Sequence, residues 1–134
     1  GDMVFDRRLL RDLLNGKYTN CALVNNKIEP PKKDFKGKIE NGIVKMISVN
    51  ISGKNAFFLA PIYKFSKDGF NLWLNEIDKF VKDGNVKVYG EDAFNNIPDK
   101  IKLYPVYFSD EFCMEIDDFD DLEIARDFFR NNKI

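Results

Sequence analysis

The chain contains no histidine, and that single absence removes the commonest general base and the commonest ligand of transition metals. Serine-type and papain-type triads in their usual forms go with it. Two cysteines, Cys21 and Cys113, are too few for a disulfide framework and lack metal-type spacing, so both read as packed free thiols. An excess of one charge is missing too. With 21 basic and 22 acidic residues the formal net charge is -1, so neither nucleic acid nor an anionic membrane is attracted in bulk, and a phosphate site has to be local. No apolar stretch approaches the length of a membrane span, and no charged start runs into an apolar segment as in a signal peptide; the cytoplasm is the default expectation. The eight glycines are scattered, without the close spacing that lets backbone amides cradle a triphosphate.

What is present suffices for a core. At 134 residues, 44% of them hydrophobic and thirteen of them Phe, the chain is one small domain or part of a larger one. Asp6 can cap a helix with a stripe of Leu9, Leu10, Leu13 and Leu14, stopped at Asn15-Gly16. Asn20 to Val24 reads as a short strand, and Glu29 to Gly37 as a loop marked by Pro30-Pro31 and carrying Lys32, Lys33, Asp34 and Lys36, whose basic residues read as solvated, with phosphate contact by Lys36 or Lys38 as the minority reading. Asn41-Gly42 is the dipeptide of a type I′ hairpin turn. Val44 to Ile51 continues as a strand, and Ser52-Gly53 turns into Ala56 to Phe65, an apolar run suited to burial on both faces with Pro61 marking a bulge. Ser66 to Lys82 has helical periodicity, with Phe70, Trp73, Leu74, Ile77 and Phe80-Val81 on one side and Gly84 as stop. Val86 to Tyr89 and Ile101 to Phe108, the latter interrupted by Pro105, read as strands, with a helical turn or two over Glu91 to Ile97. This order predicts an α/β fold: a mixed, partly antiparallel sheet with flanking helices.

The stretch from Cys113 to Phe129 carries the chemistry. A strand ending at Met114 to Asp117 sends Glu115 and Asp117 out of the same face. Asp118 can then cap a helix with Asp121 three residues on, and Leu122, Ala125, Phe128 and Phe129 form its packed side. Acids at the carboxyl end of a strand, where a helix begins, stand where open α/β sheets put their ligand chemistry. Surface caps are the plainer account of such acids.

The order Glu115-Ile116-Asp117, Asp121-Leu122, Ala125 and then Phe128-Phe129 resembles the closing segment of sugar-phosphate nucleotidyltransferases, especially the branch of CTP:phosphocholine cytidylyltransferases. Gly1-Asp2-Met3-Val4-Phe5 resembles the G-D-x-x-F motif in the middle of that family's domain, Ile62-Tyr63-Lys64-Phe65-Ser66 its I-Y-K-F-S strand end, and Tyr89-Gly90-Glu91-Asp92-Ala93 its Y-x-E-D-A segment. The resemblance implies the second half of a Rossmann-like, GT-A-like nucleotidyltransferase domain filling 1–134, without the N-terminal half whose Gly-rich loop holds the nucleoside triphosphate.

By the same resemblance, the reaction transfers a nucleotide, CMP from CTP as first choice, to a phosphorylated or phosphonate acceptor and releases pyrophosphate. Asp2 and Asp117 are assigned to a magnesium ion. Tyr89 and Glu115, with Tyr63, Glu91 and Asp92, are assigned to the acceptor. For Tyr63 a core tyrosine, and for Glu91 and Asp92 a helix cap, are equal alternatives. Cys113-Met114 stand where the choline branch has an aromatic, which leaves aminoethylphosphonate or a sugar phosphate open beside phosphocholine. These residues alone are expected not to turn over and to self-associate through uncovered apolar surface. The rival expectation is a non-catalytic α/β interaction module.

Overall fold

A computed structural model describes residues 2–132; Gly1 of the Gly-Asp pair lies outside the described residues. The elements are β1 (Met3–Phe5), α1 (Arg7–Asn15), β2 (Cys21–Asn25), β3 (Lys36–Glu40), β4 (Ile43–Ser48), β5 (Ala56–Lys64), α2 (Lys67–Lys82), α3 (Gly90–Phe94), β6 (Tyr104–Phe108), β7 (Cys113–Glu115) and α4 (Phe119–Asn131). Five strands form one mixed sheet in the order β4-β3-β5-β2-β6, parallel only between β2 and β6, while β1 and β7 form a separate antiparallel pair. This is the mixed α/β sheet with flanking helices that the element order predicts.

Strand β2 is buried along its whole length, and its period of two divides it between the two sides of the sheet. Ala22 and Val24 join a cluster with Val44, Leu59, Phe94 and Ile101, against which Trp73 of α2 packs. Cys21 and Leu23 join the opposite cluster with Leu9 and Leu13 of α1, and Met3, Phe5 and Cys113 of the β1–β7 pair lie against it. Leu9 and Leu13 are each 1% exposed, and burial of each such side chain stabilises the fold by about 1.5–3 kcal/mol.

Local chemistry sets several junctions. Asn41 and Gly42 both have positive φ, 52° and 74°, as a type I′ turn requires. The β2–β5 register jumps from Ala22↔Tyr63 to Leu23↔Ala60, so Pro61, which cannot donate to the ladder, sits in the bulge. Ser66 caps α2 by accepting from the Gly69 amide at 3.0 Å. A Cβ on Gly69 would stand 2.5 Å from Asn20 Oδ1, an oxygen already engaged by the Ser66 amide at 2.9 Å; this close approach demands glycine.

Three expectations are corrected. Val86 to Tyr89 is not a strand but an irregular segment; alternation gives it β-propensity, yet among the described residues no strand pairs with it, and Val86 is exposed. The last sheet strand begins at Tyr104 rather than Ile101, since Ile101 and Leu103 are buried in irregular chain, where the Leu103 carbonyl accepts from the Val44 amide at 2.9 Å. Pro105 lies within β6, which is an edge strand and tolerates it. The apolar side of α2 is only half covered: Trp73 and Ile77 are partly buried, but Phe70, Leu74 and Val81 are 45%, 42% and 56% exposed. Helix α4 meets Phe112, which stacks on Phe128 at 4.3 Å and meets Phe129 edge-on at 5.3 Å.

Candidate active site

The β1–β7 ladder aligns Met3 with Glu115, and the Asp2 carbonyl accepts from the Ile116 amide at 2.8 Å. The first and last strands thus run side by side. Beyond β7, Asp118 accepts from the Asp121 amide at 2.9 Å and caps α4, and Asp121 Oδ2 in turn accepts from the Asp117 amide at 3.0 Å. Acids in the first turn suit the positive end of the helix.

A third segment reaches this corner from the loop between β2 and β3. The buried Lys36 donates from Nζ to the carbonyls of Lys32, Asp34 and Val49, each at 2.9 Å. All three of its ammonium hydrogens are spent on holding the loop to the end of β4, which leaves none for a phosphate; Lys38 is paired with Glu40 at 3.1 Å. The minority reading of a phosphate contact finds no support at either lysine. The pinned loop carries Lys33, whose Nζ lies 2.7 Å from Asp121 and 3.1 Å from Asp117, and Asp34, which is only 6% exposed.

Among the described residues, Asp34, Glu115 and Asp117 each offer a carboxylate oxygen within 4.8 Å of the other two. Asp34 Oδ1 is buried without a hydrogen-bond partner. Burial raises the carboxyl of Asp34, and the charges of Asp117 and Asp121 add to the rise while Lys33 opposes it. Glu115 is raised likewise, by burial and then by Asp34 and Asp117. Asp121, hydrogen-bonded by Lys33, is held low. The Lys33 ammonium is the cation bonded to this group, through Asp117 and Asp121. An all-oxygen donor set with an orphaned buried carboxylate oxygen suits a hard ion such as magnesium. A cavity of about 210 Å³ opens beside it, with Pro31, Lys33, Asp34, Met114, Glu115 and Asp121 in its wall. The nearby Cys113 thiol is pushed up to about 12, chiefly by burial, so it supplies no thiolate nucleophile near neutral pH.

The residues assigned by resemblance fall into three groups. Glu115 and Asp117 are in the acid cluster; Asp2 adjoins it through its backbone, but its carboxylate is not one of the three. Tyr63 donates to Glu91 at 2.9 Å, and burial and then the Glu91 charge raise its hydroxyl further. Trp73 stands edge-on to Tyr63 at 5.4 Å and donates to the Gly90 carbonyl at 2.7 Å. Tyr89 is 56% exposed with its ring edge-on to Phe35 at 5.0 Å, whereas Asp92 accepts from the Tyr89 amide at 2.9 Å as a helix cap. Asp34 and Lys33 are legible in the sequence only as loop charges.

No family model matches the chain, and no curated protein matches it significantly in sequence. Solved structures do match. A CTP:phosphocholine cytidylyltransferase from Streptococcus pneumoniae aligns with TM-score 0.72 and 14% identity over 96% of this chain and 54% of its own. A Bacillus anthracis structure described as a glucose-1-phosphate thymidylyltransferase aligns with TM-score 0.67 and 16% identity over 99% of this chain and 53% of its own. An inositol-1-phosphate CTP transferase from T. maritima gives 0.66 and 16% over 93% and 51%. All three are nucleotidyltransferases, and the fold of this chain is that of part of such a domain. It spans about half the length of the structures it matches. No helix of the described residues is long and apolar enough to cross a membrane.

Proposed function

We propose that the chain is the acceptor- and metal-binding half of a nucleotidyltransferase domain, which in the whole protein transfers CMP from CTP to a phosphorylated or phosphonate acceptor with release of pyrophosphate. The observation that carries this reading is the meeting of the first and last strands, which runs the backbone of Asp2 beside Ile116, next to Asp117 and the acid cluster. The attacking oxygen of such an acceptor is already anionic near neutral pH, so no general base is required, in keeping with a chain that has no histidine. The task left to the protein is alignment of two anionic groups and neutralisation of their repulsion. Magnesium, held by Asp2 and Asp117, would supply that neutralisation when bound.

Tyr63 and Glu91, joined by their hydrogen bond, with Tyr89 and Glu115 would hold a cationic acceptor head by ring faces and negative charge. Phosphocholine and aminoethylphosphonate both carry such a head, whereas a sugar phosphate would leave these acids unanswered. Asp92 serves the same region as the cap that orients α3. Pyrophosphate release with CTP and each acceptor, measured on the protein joined to a nucleotide-binding half, tests the reading. Asp117→Asn is expected to lower that rate by about 100-fold or more, and an unchanged rate refutes it. The 134 residues alone are expected to release none, and robust magnesium-dependent release from them overturns the half-domain assignment. The exposed Phe70, Leu74 and Val81 on α2 favour the second reading, an interaction module or self-associating surface; such a module would be indifferent to Asp117→Asn.

A further inference from the structure

We propose that Asp34 is a specificity residue of the acceptor site, and that together with Glu115 it selects a head bearing a primary ammonium over a quaternary one. Glu115 is assigned to the acceptor by the transferase reading, on which this inference rests; Asp34 is new to the site. Two independent features carry it. Asp34 is only 6% exposed and its Oδ1 has no donor, and it offers an oxygen within 4.8 Å of one on Glu115, in the wall of the same cavity.

What Asp34 lacks is a hydrogen-bond donor, not merely a positive charge nearby. Lys33 is bonded to Asp117 and Asp121, and Lys36 donates to the carbonyl of Asp34 rather than to its carboxylate. A primary ammonium brings three N–H donors, whereas a trimethylated nitrogen brings none and is held by ring faces. The spacing agrees. Bonds of about 2.7–3.0 Å to a tetrahedral nitrogen let two accepting oxygens stand up to about 4.9 Å apart, so one ammonium reaches both carboxylates. The wall beside these acids is formed by Ile28, Cys113 and Met114, with the buried Phe58 as its one ring among the described residues. That is no cage for a quaternary head. Glu115 also feels the charge of Glu91, so the pair continues the acidic region already assigned to the acceptor. Magnesium is assigned to Asp2 and Asp117, which leaves Asp34 and Glu115 for the head.

The test is the ratio of kcat/KM for 2-aminoethylphosphonate to that for its N-trimethylated analogue, read by pyrophosphate release on the protein joined to a nucleotide-binding half. The wild type is expected to prefer the primary amine by about 100-fold or more, because a site built to hydrogen-bond an N–H rejects the analogue lacking it. Asp34→Asn keeps the shape and removes the charge. It should cut that preference by about 10-fold or more, through the primary amine alone. Equal loss on both substrates, as general damage to the fold would give, overturns the assignment. Asp99→Asn, at an exposed carboxylate paired with Lys45, is the control and should leave the ratio unchanged. No variant is needed for the first comparison: a wild type that uses the trimethylated substrate equally well or better refutes this inference, while its pyrophosphate release upholds the transferase reading. An unchanged ratio with lost Mn2+ affinity in Asp34→Asn puts Asp34 on the metal instead, and also overturns it. If neither substrate releases pyrophosphate, the transferase reading fails, and calorimetry on the 134 residues decides here. Binding of 2-aminoethylphosphonate that Asp34→Asn weakens by about 10-fold or more supports the site; absence of binding at millimolar concentration ends it.

Discussion

Asp6 and Asp34 are buried to nearly the same degree, 3% and 6% exposed, yet the protein treats them in opposite ways. At the start of α1, Arg8 gives Asp6 its amide at 2.8 Å and its guanidinium at 2.9 and 2.6 Å, and the carboxyl is held below its ordinary value. In the loop before β3, the nearest bonded ammonium goes to the carbonyl of Asp34 while its Oδ1 has nothing, and the carboxyl is raised. A buried charge that is fully hydrogen-bonded is part of the scaffold. One left short of donors among other acids costs stability unless something else arrives. The contrast is between a carboxylate bonded into the scaffold and one of the same residue type, at the same depth, that is left short of donors.

The largest effect that bears on this contrast is expected from Lys36→Met, which keeps the aliphatic stem but strips three carbonyls of their shared donor. Stability should fall by roughly 2–4 kcal/mol, measured by urea unfolding. If the loop instead owes its position to Pro30-Pro31 and Phe35 packing, the loss will be negligible. Next in size is Asp6→Ala, which removes a helix cap and leaves Arg8 without its partner; Tm should drop by roughly 5 °C. An unchanged Tm would make Asp6 as dispensable as a surface acid and dissolve the contrast from its structural side.

The sequence discloses what local chemistry decides. Asn41-Gly42, the Asp6 cap, the bulge at Pro61 and the Asp118 cap each depend on a few adjacent residues, and each lies where spacing predicts it. Glu115 and Asp117 share a side because two residues apart on extended chain they must. Val86 to Tyr89 misleads because alternating β-branched residues report propensity but not whether a neighbouring strand exists. Asp34 is opaque for a related reason. Nothing in Lys32-Lys33-Asp34-Phe35 distinguishes a solvated loop from a buried one; the burial is made by Lys36 reaching Val49 and by strands that arrive from the far end of the chain. The adjacency of residues 2 and 116 likewise follows only from the order of motifs, since no local pattern pairs two short strands from opposite ends of the sequence.

The smallest predicted effect is the most discriminating. Asp34→Asn removes the buried charge while keeping the shape, so in metal-free buffer with chelator it should raise Tm at about pH 7 by roughly 2–5 °C, the opposite sign from Asp6→Ala. The pH dependence follows from the direction of the shift. The folded-state value of Asp34 lies above its ordinary 3.8, so its favourable contribution is complete below 3.8 and is lost as pH rises through the folded value. Asparagine does not titrate. The advantage of the variant should therefore be greatest near neutrality and shrink on acidification, vanishing below 3.8. Glu115, raised partly by Asp34, should shift back toward its ordinary value in the variant. A variant less stable than wild type at every pH would mean that Asp34 is bonded within the protein as Asp6 is, and the distinction between the two aspartates would be lost.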